Sequence, residues 1–376
     1  MDRQPVVGIV GSRGAFGRWL GRFFREQMGL AVVGRDPDGD EALSERALVE
    51  ASDVLVFAAP IRSSPALIDR YATLAAGCER GRLWLDITSI KREPVAALLR
   101  SQAEVAGLHP MCAPPKAPTL KGRVLVVCEA RLDRWRGWLG ILLRALEAEC
   151  VAATPDQHDS RMALVQAMVH ACHLAQAAVL RASAPGIAGP ADVMPFRTVS
   201  FELDMTVAAR ILSGNPAIYE DIQFGNPDVL PMLERLLGAL GALRDCVRAG
   251  DEAARARFRA AFIDGGRAFF GRDALAAGDY GFERLGYLLA DLAEPRALSV
   301  VLRQDHAGAL GELLAIFERH GINLASIHSS RTPAGEVHFR IGWSGDPAAA
   351  RLAQVGAEIE RSGCGRVLAP QPAQGA

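Results

Sequence analysis

The sequence predicts an α/β chain in three parts: a doubly wound sheet with helices on both faces, an all-helical region, and a small βαββαβ domain. Three observations predict it. β-rich runs alternate with helical stretches from Val6 to about Cys150; β-branched alternation then vanishes from about Thr154 to Ala290; and it returns after Ala293-Glu294-Pro295. A chain of 376 residues also exceeds what one hydrophobic core usually organises, so domains at 1–150, 151–293 and 294–370 are expected.

The first part carries strand-like runs at Val6-Val10, Ala31-Gly34, Val54-Ala58, Leu83-Ile87, Val105-Leu108 and Val124-Cys128, with helix-period segments between them. The second part is rich in Ala, Leu and Arg, and is broken at Pro185-Gly186, Gly189-Pro190 and Gly225-Asn226-Pro227. In the third part, Ala297-Leu302, Asn323-Ser329, Glu336-Trp343 and Gly365-Leu368 read as strands, with helices over 308–320 and 347–362. The tail from Pro370 to Ala376 reads as disordered.

Composition excludes several classes. A formal net charge of −1 argues against nucleic-acid and membrane surfaces, which need a basic excess. The seven cysteines are scattered and contain no C-x-x-C pair, so reduced thiols in a cytoplasm are expected rather than a disulfide framework or a zinc site. His170 and His173 stand three apart on a helix without a third ligand, so no metal is expected. Apolar runs such as Val54 to Pro60 fall short of the about 20 residues of a membrane span. The first residues show no secretory signal pattern.

Gly11, Ser12, Gly14, Ala15, Phe16 and Gly17 form a turn between the first strand and a helix beginning near Phe16. Without Cβ bulk the backbone can approach a pyrophosphate, and the helix N-terminus offers free N–H groups. Ser12 stands where the usual pattern has its first glycine, so context matters. Asp36, nineteen residues past Gly17 at the end of the second strand, would hold a ribose 2′-hydroxyl; its bland alternative is a turn-forming Asp before Pro37. Its carboxylate would repel a 2′-phosphate, which favours NAD, while Arg35 beside it would partly neutralise that effect. Ala59 and Pro60 close the third strand and would wall the nicotinamide cleft. Together these predict a Rossmann-type domain with bound NAD.

Ser89, Lys91 and His109 follow two successive strands, and in an open parallel sheet ligands sit outside the carboxyl ends of the strands. Two hydroxyls, two cations and an imidazole from Thr88 to His109 suit an anionic hydroxy-acid. Lys91 would contact that substrate or salt-bridge near the cofactor. A lone His is usually structural, but His109 precedes Pro110 in a post-strand loop, where the ring can be presented to a ligand.

These residues in this order resemble the prephenate dehydrogenases, NAD-dependent enzymes of tyrosine synthesis, and most closely the enterobacterial type without its chorismate mutase segment. The resemblance covers about residues 6 to 275. It rests on Gly11, Gly14 and Gly17, on Asp86-x-Thr88-Ser89-x-Lys91, Gly107-Leu108-His109-Pro110-Met111, His158-Asp159 with Met162, and Gln166-Ala167-x-x-His170. Phe201-Glu202-Leu203 through Arg210, Pro216-x-x-Tyr219-x-Asp221-Ile222 and Phe269-Phe270-Gly271 extend it.

The resemblance implies that His109 accepts the hydrogen bond of the substrate's ring hydroxyl, with Ser89 orienting the pair. It implies that Arg210 holds the ring carboxylate and that Gln166 and His170 line the pocket; their alternatives are an exposed helical Arg and a packed interior face. Glu202 stands where close relatives carry Arg, with Arg197 a candidate to replace that charge, and Cys112-Ala113-Pro114 replaces Phe-Gly-Pro. A homodimer built on the helical region is implied too. The alternatives are arogenate dehydrogenase, a non-catalytic amino-acid sensor on the same scaffold, and an unrelated NAD-dependent hydroxy-acid dehydrogenase.

Asp305-His306-Ala307-Gly308-Ala309-Leu310, Gly321-Ile322-Asn323-Leu324 and Ser329-Ser330-Arg331 resemble an ACT domain, a module that binds amino acids at paired interfaces. Gly308 would let a ligand's carboxylate approach a helix N-terminus, and Asn323 would face it. An aromatic amino acid, tyrosine or phenylalanine, is the expected effector; a purely structural dimerisation extension is the alternative.

Overall fold

The computed structural model describes residues 3–37, 43–183, 186–293, 296–332 and 335–368. The tail expected to be disordered lies outside them. They form two compact units, Met1–Gly241 and Ala242–Ala376.

The first unit opens with a seven-stranded sheet: β1 (Val7–Val10), β2 (Val32–Arg35), β3 (Val54–Phe57), β4 (Leu83–Asp86), β5 (Glu104–Pro110), β6 (Val124–Arg131) and β7 (Glu149–Ala152). Their order is β2-β1-β3-β4-β5-β6-β7. The first five are parallel; β6 runs antiparallel to β5 and β7 parallel to β6. The reversal of β6 and the presence of β7 were not anticipated. β7 is an exposed edge strand, Glu-Cys-Val-Ala, without the apolar run that marks a buried one.

Helices α1 (Ala15–Glu26), α2 (Glu45–Ala51), α3 (Ser64–Ala75), α4 (Arg92–Arg100) and α5 (Arg136–Leu146) cover the sheet. Alternation decides the faces. Val54 and Val56 of β3 point to the cluster holding Trp19 and Phe23 of α1 and Trp138 and Leu139 of α5; Leu55 and Phe57 point to Leu48, Ile68, Tyr71 and Leu98 of α2, α3 and α4. Fully burying each such Val, Leu or Phe is worth about 1.5–3 kcal/mol. This two-sided burial is the expected doubly wound arrangement.

The helical region begins with α6 (Pro155–Met162), passes through a π-helical turn, Ala163–Met168, and continues as α7 (Val169–Ala182). Thr154 starts it with a capping box: its Oγ1 accepts from Gln157 N at 3.1 Å, and Gln157 Oε1 accepts from Thr154 N at 3.2 Å. The short α8 (Pro190–Val193), α9 (Val199–Ser213), α10 (Pro216–Gly225) and α11 (Val229–Ala249) follow. Among the described residues one helix, Pro155–Ala182, is long and apolar enough to cross a membrane by length and composition. His158, Asp159, Gln166 and His170 interrupt that apolar character and are the residues that matter below.

The second unit holds α12 (Glu252–Phe258), a π turn over Arg259–Asp264, and α13 (Gly265–Ala293), which kinks at Gly271, φ 74°. Then come β8 (Ala297–Leu302), α14 (Ala309–Arg319), β9 (Leu324–Arg331), β10 (Val337–Trp343), α15 (Ala349–Ser362) and β11 (Gly365–Leu368). The antiparallel order is β11-β8-β10-β9, the expected ferredoxin-like βαββαβ domain, with Leu313, Phe317 and Ile359 packed on Val300, Phe339 and Ile341. Asp291 of α13 accepts from His328 of β9 at 3.3 Å.

Candidate active site

The topology reverses at β1, whose neighbours are β2 and β3, and the glycine turn lies at that switch point. Gly11 has φ +81°, and a Cβ there would meet the Ala58 carbonyl oxygen at 2.5 Å. At Gly17 a Cβ would stand 2.0 Å from the Gly11 carbonyl oxygen. Both positions therefore require glycine, and they press the turn against the end of β3, where Ala59 and Pro60 follow. The Asp36 carboxylate accepts from Arg13 N at 2.9 Å, placing it beside the turn at the end of β2. Arg35 turns away: its Nη1 donates to the Leu43 carbonyl at 2.8 Å and its Nε is 4.0 Å from Glu45. Ala15 and Phe16 open α1, whose first N–H groups face this turn without a side-chain cap at Gly14. The arrangement fits a dinucleotide.

Two strands along, Asp86 ends β4 and is fully buried with Lys91, whose Nζ is 2.7 Å from both carboxylate oxygens. Thr88 N donates to the same carboxylate at 2.8 Å. Lys91 was expected among the substrate contacts; with its ammonium buried and committed to Asp86, it shapes the loop instead. Ser89, between them, is half-buried, and among the described residues its hydroxyl has no hydrogen-bond partner.

His109 lies near the carboxyl end of β5, next to β4 in the sheet, and is 3% exposed. Its Nδ1 is 2.8 Å from Nε2 of His158, and Nδ1 of His158 is 2.6 Å from Oδ1 of Asp159. His158 is thus the hydrogen-bonding partner of His109. Asp159 also accepts from Lys91 N at 2.8 Å and Arg92 N at 2.9 Å, so its carboxylate caps the start of α4. Arg92 binds Asp156 at 2.7 Å and Asp228 at 2.8 Å, tying α4 to α6 and to the approach of α11.

Burial, then the His158 ring and the Lys91 cation, hold His109 well below the ordinary imidazole range. Burial also lowers His158, against the pull of Asp159. Burial alone would raise Asp159, but hydrogen bonds from His158 and from the N–H groups of Arg92 and Lys91 keep it low. The result is two neutral rings and one carboxylate.

Gln166 lies inside the π turn and His170 just beyond it. An α-helical spacing of eight or twelve residues from His158 would point about 80° or 120° away, and the extra residue of a π turn takes back about 100°. All three side chains are thereby brought toward one face. Gln166 Oε1 and His170 Nδ1 are buried without hydrogen-bond partners, and Tyr219 packs edge-on against His170 at 4.9 Å. Buried polar atoms left unpaired call for a ligand or water.

Arg210, in the last turn of α9, is exposed and has no ion-pair partner among the described residues; its charge reaches Cys112, in the loop after His109. Arg197 pairs with Glu202 at 3.0 Å, so it neutralises Glu202 rather than replacing a missing cation. A cavity of about 470 Å³ lies between the loops after β3 and β4 and α10, lined by Ile61, Arg62, Ile90, Asp221 and Phe224; its lining stops short of His109. Arg62 closes one side through Asp221, Nε to Oδ1 at 2.5 Å.

In the ACT-like domain Gly308 has φ +97° with open space where a Cβ would point, and it precedes α14. Asn323 is exposed, its Nδ2 donating to Ser344 Oγ at 2.9 Å. Among the described residues no cluster of side chains suited to a metal ion occurs.

Comparison with known proteins agrees with this architecture. Residues 154–261 match the family described as prephenate dehydrogenase, dimerization domain, and residues 296–341 match the ACT domain. A protein of Methanocaldococcus jannaschii named probable arogenate/prephenate dehydrogenase is 24% identical over 263 residues, 65% of this chain and 57% of that protein. The T-protein of Enterobacter agglomerans is 24% identical over 261 residues, 67% of this chain and 65% of that one. The chain thus spans less than two thirds of the length of these curated relatives. Prephenate dehydrogenase from A. aeolicus, solved with hydroxyphenyl propionate and NAD+, shares the fold at TM-score 0.56 and 19% identity, covering 71% of this chain and 99% of that one. Residues 154–261 thus match a prephenate dehydrogenase dimerization domain and residues 296–341 an ACT domain, and over about two thirds of its length the chain is similar to proteins named arogenate/prephenate dehydrogenase and T-protein.

Proposed function

We propose that this protein is an NAD-dependent prephenate dehydrogenase, converting prephenate to 4-hydroxyphenylpyruvate and CO2 in tyrosine synthesis. The observation that carries the reading is His109: a neutral, buried imidazole whose Nδ1 is occupied by His158, leaving Nε2 as the basic nitrogen. NAD supplies the hydride acceptor when bound, held by the Gly11–Gly17 turn, with Asp36 on the ribose and Ala59 and Pro60 beside the nicotinamide. Arg35, turned toward Leu43 and Glu45, leaves the Asp36 charge to disfavour a 2′-phosphate.

Removal of hydride from the ring carbon that bears the hydroxyl builds positive character there, so the hydroxyl proton must leave with it. His109 accepts that proton, and Ser89, with its unpartnered hydroxyl, orients the substrate oxygen. Arg210 grips the ring carboxylate with a bidentate fork. Gln166 and His170 satisfy their unpaired atoms on the substrate's side chain. Loss of the ring carboxylate as CO2 gives an aromatic product, which makes the step effectively irreversible.

The helical region serves as the dimer core, the domains divide near residues 150 and 293, and the reduced cysteines suit a cytoplasmic setting. Gly308 and Asn323 hold an aromatic amino acid as feedback effector. Two measurements test this reading. NADH formation by purified protein is followed with prephenate and arogenate side by side, NAD against NADP; rapid reduction with prephenate supports the proposal, and a preference for arogenate moves the substrate within the same class. If added tyrosine and phenylalanine change neither activity nor thermal stability, the effector assignment fails.

A further inference from the structure

The segment from His109 through His158 to Asp159 spans two hydrogen bonds, 2.8 and 2.6 Å, and all three side chains are buried. Its polarity can be read from the fixed end. Asp159 receives two backbone N–H groups from the start of α4, so its oxygens are acceptors. His158 must therefore carry its proton on Nδ1 and present a bare Nε2. His109 must in turn carry its proton on Nδ1, which leaves Nε2 of His109 as the only unprotonated nitrogen of that ring.

We infer that His158 and Asp159 are positioning residues that set the tautomer of His109 and receive the positive charge His109 takes up. The inference rests on the dehydrogenase reading above. In the step itself, the substrate O–H bond breaks and an Nε2–H bond forms on His109. The Nδ1–H bond of His109 then breaks and an Nε2–H bond forms on His158, whose new charge lies against the Asp159 carboxylate. His109 is left neutral, and the proton count balances. The surroundings favour such a transfer. The Lys91 ammonium opposes a cation on either ring, but at His158 the Asp159 and Asp86 carboxylates favour one, whereas none favours it at His109; the nearby Cys128 thiol, pushed up to about 11 by burial, stays neutral and offers no counter-charge. Among the described residues Asp159 is the one anion hydrogen-bonded to the pair.

The test combines kinetics with spectroscopy. Asp159→Asn and His158→Gln should lower kcat by roughly 10²–10⁴-fold, the usual worth of a positioned acid–base group, with KM for prephenate changed little. Removing the carboxylate also removes what favours a charged imidazole, so the acid limb of kcat/KM should move to lower pH in Asp159→Asn; a merely structural loss would scale the profile without moving it. Because either variant could unfold, nitrogen-15 spectra of the imidazoles in the unaltered protein give an independent reading without substrate. His109 should be protonated on Nδ1 alone at neutral pH, and the His158 Nδ1 proton should resonate far downfield. A His109 protonated on Nε2, or folded variants with unchanged kcat and pH profile, overturns the inference. Absence of turnover by the unaltered protein with either substrate would instead count against the function, leaving the spectra to judge the pair.

Discussion

A neutral imidazole in a water-poor site remains a base only while its proton has somewhere to go, and the same burial couples His109 to folding. In the unfolded chain both His109 and His158 titrate near the ordinary value of about 6.5. In the folded protein burial lowers both, His109 further. Above that ordinary value neither state is protonated and nothing is lost. Below it the unfolded chain binds protons that the folded one refuses, so stability falls as pH drops toward the folded values. Urea denaturation at stepped pH should show this decline beginning near pH 6.5, and His109→Asn should flatten part of it. The same substitution should reduce turnover by about 10²–10⁴-fold with the fold intact; unchanged turnover would remove His109 from the chemistry. Ser89 and His109 were legible in the sequence because both follow strand-like runs, where a parallel sheet gathers its ligand groups. The pairing of His109 with His158 was not, since 49 residues separate them and only the packing of α6 against the sheet end brings them together. For Lys91 the sequence left substrate contact and salt bridge open, because nothing local announced that Asp86 would bury its ammonium.

At the scale of elements, the first five strands of the sheet could be read within a residue or two because continuous apolar runs mark strands covered on both faces, while β6 runs three residues past the Val124-Cys128 run into exposed Glu-Ala-Arg. β7 escaped because an exposed edge strand has no such run. The helix from Pro155 to Ala182 was legible as helix, yet its π turn was not, because Ala-Leu-Val-Gln-Ala-Met carries no breaker. That turn has a consequence that can be measured. Inserting one alanine after the exposed Val165 adds a residue that the π turn does not absorb, and should swing His170 by about 100° relative to His158. The helix would survive, but Gln166 and His170 would no longer share a face with His158. The expected outcome is a retained circular dichroism spectrum with a large rise in KM for prephenate. If KM is unchanged, Gln166 and His170 do not line the substrate pocket, and their unpaired atoms need another partner.

For the whole molecule, the decisive feature is apolar surface that one copy of the chain leaves uncovered. In the first unit Phe196 and Phe224 are 86% and 90% exposed; in the second Phe269 and Tyr287 are 87% and 74% exposed. Scattered single residues would mean little, but here Val165, Val179, Leu212, Leu237, Val247 and Phe270 add to them along the same helical region. Within each unit, so many large apolar side chains left exposed are unusual for a soluble monomer. The region that matches a dimerization domain, residues 154–261, supplies many of these residues, so a second copy of the chain is the natural cover. Association that buries them links folding to protein concentration, because mass action favours the assembled native state over unfolded single chains. The thermal midpoint should therefore rise measurably from nanomolar to micromolar protein, and light scattering at micromolar concentration should give twice the 40.2 kDa chain mass. Phe224→Asp and Phe269→Asp, one in each unit, should each weaken the assembly if that residue is buried in the dimer. A single-chain mass with a concentration-independent midpoint would mean that these helices are covered by something other than a second copy.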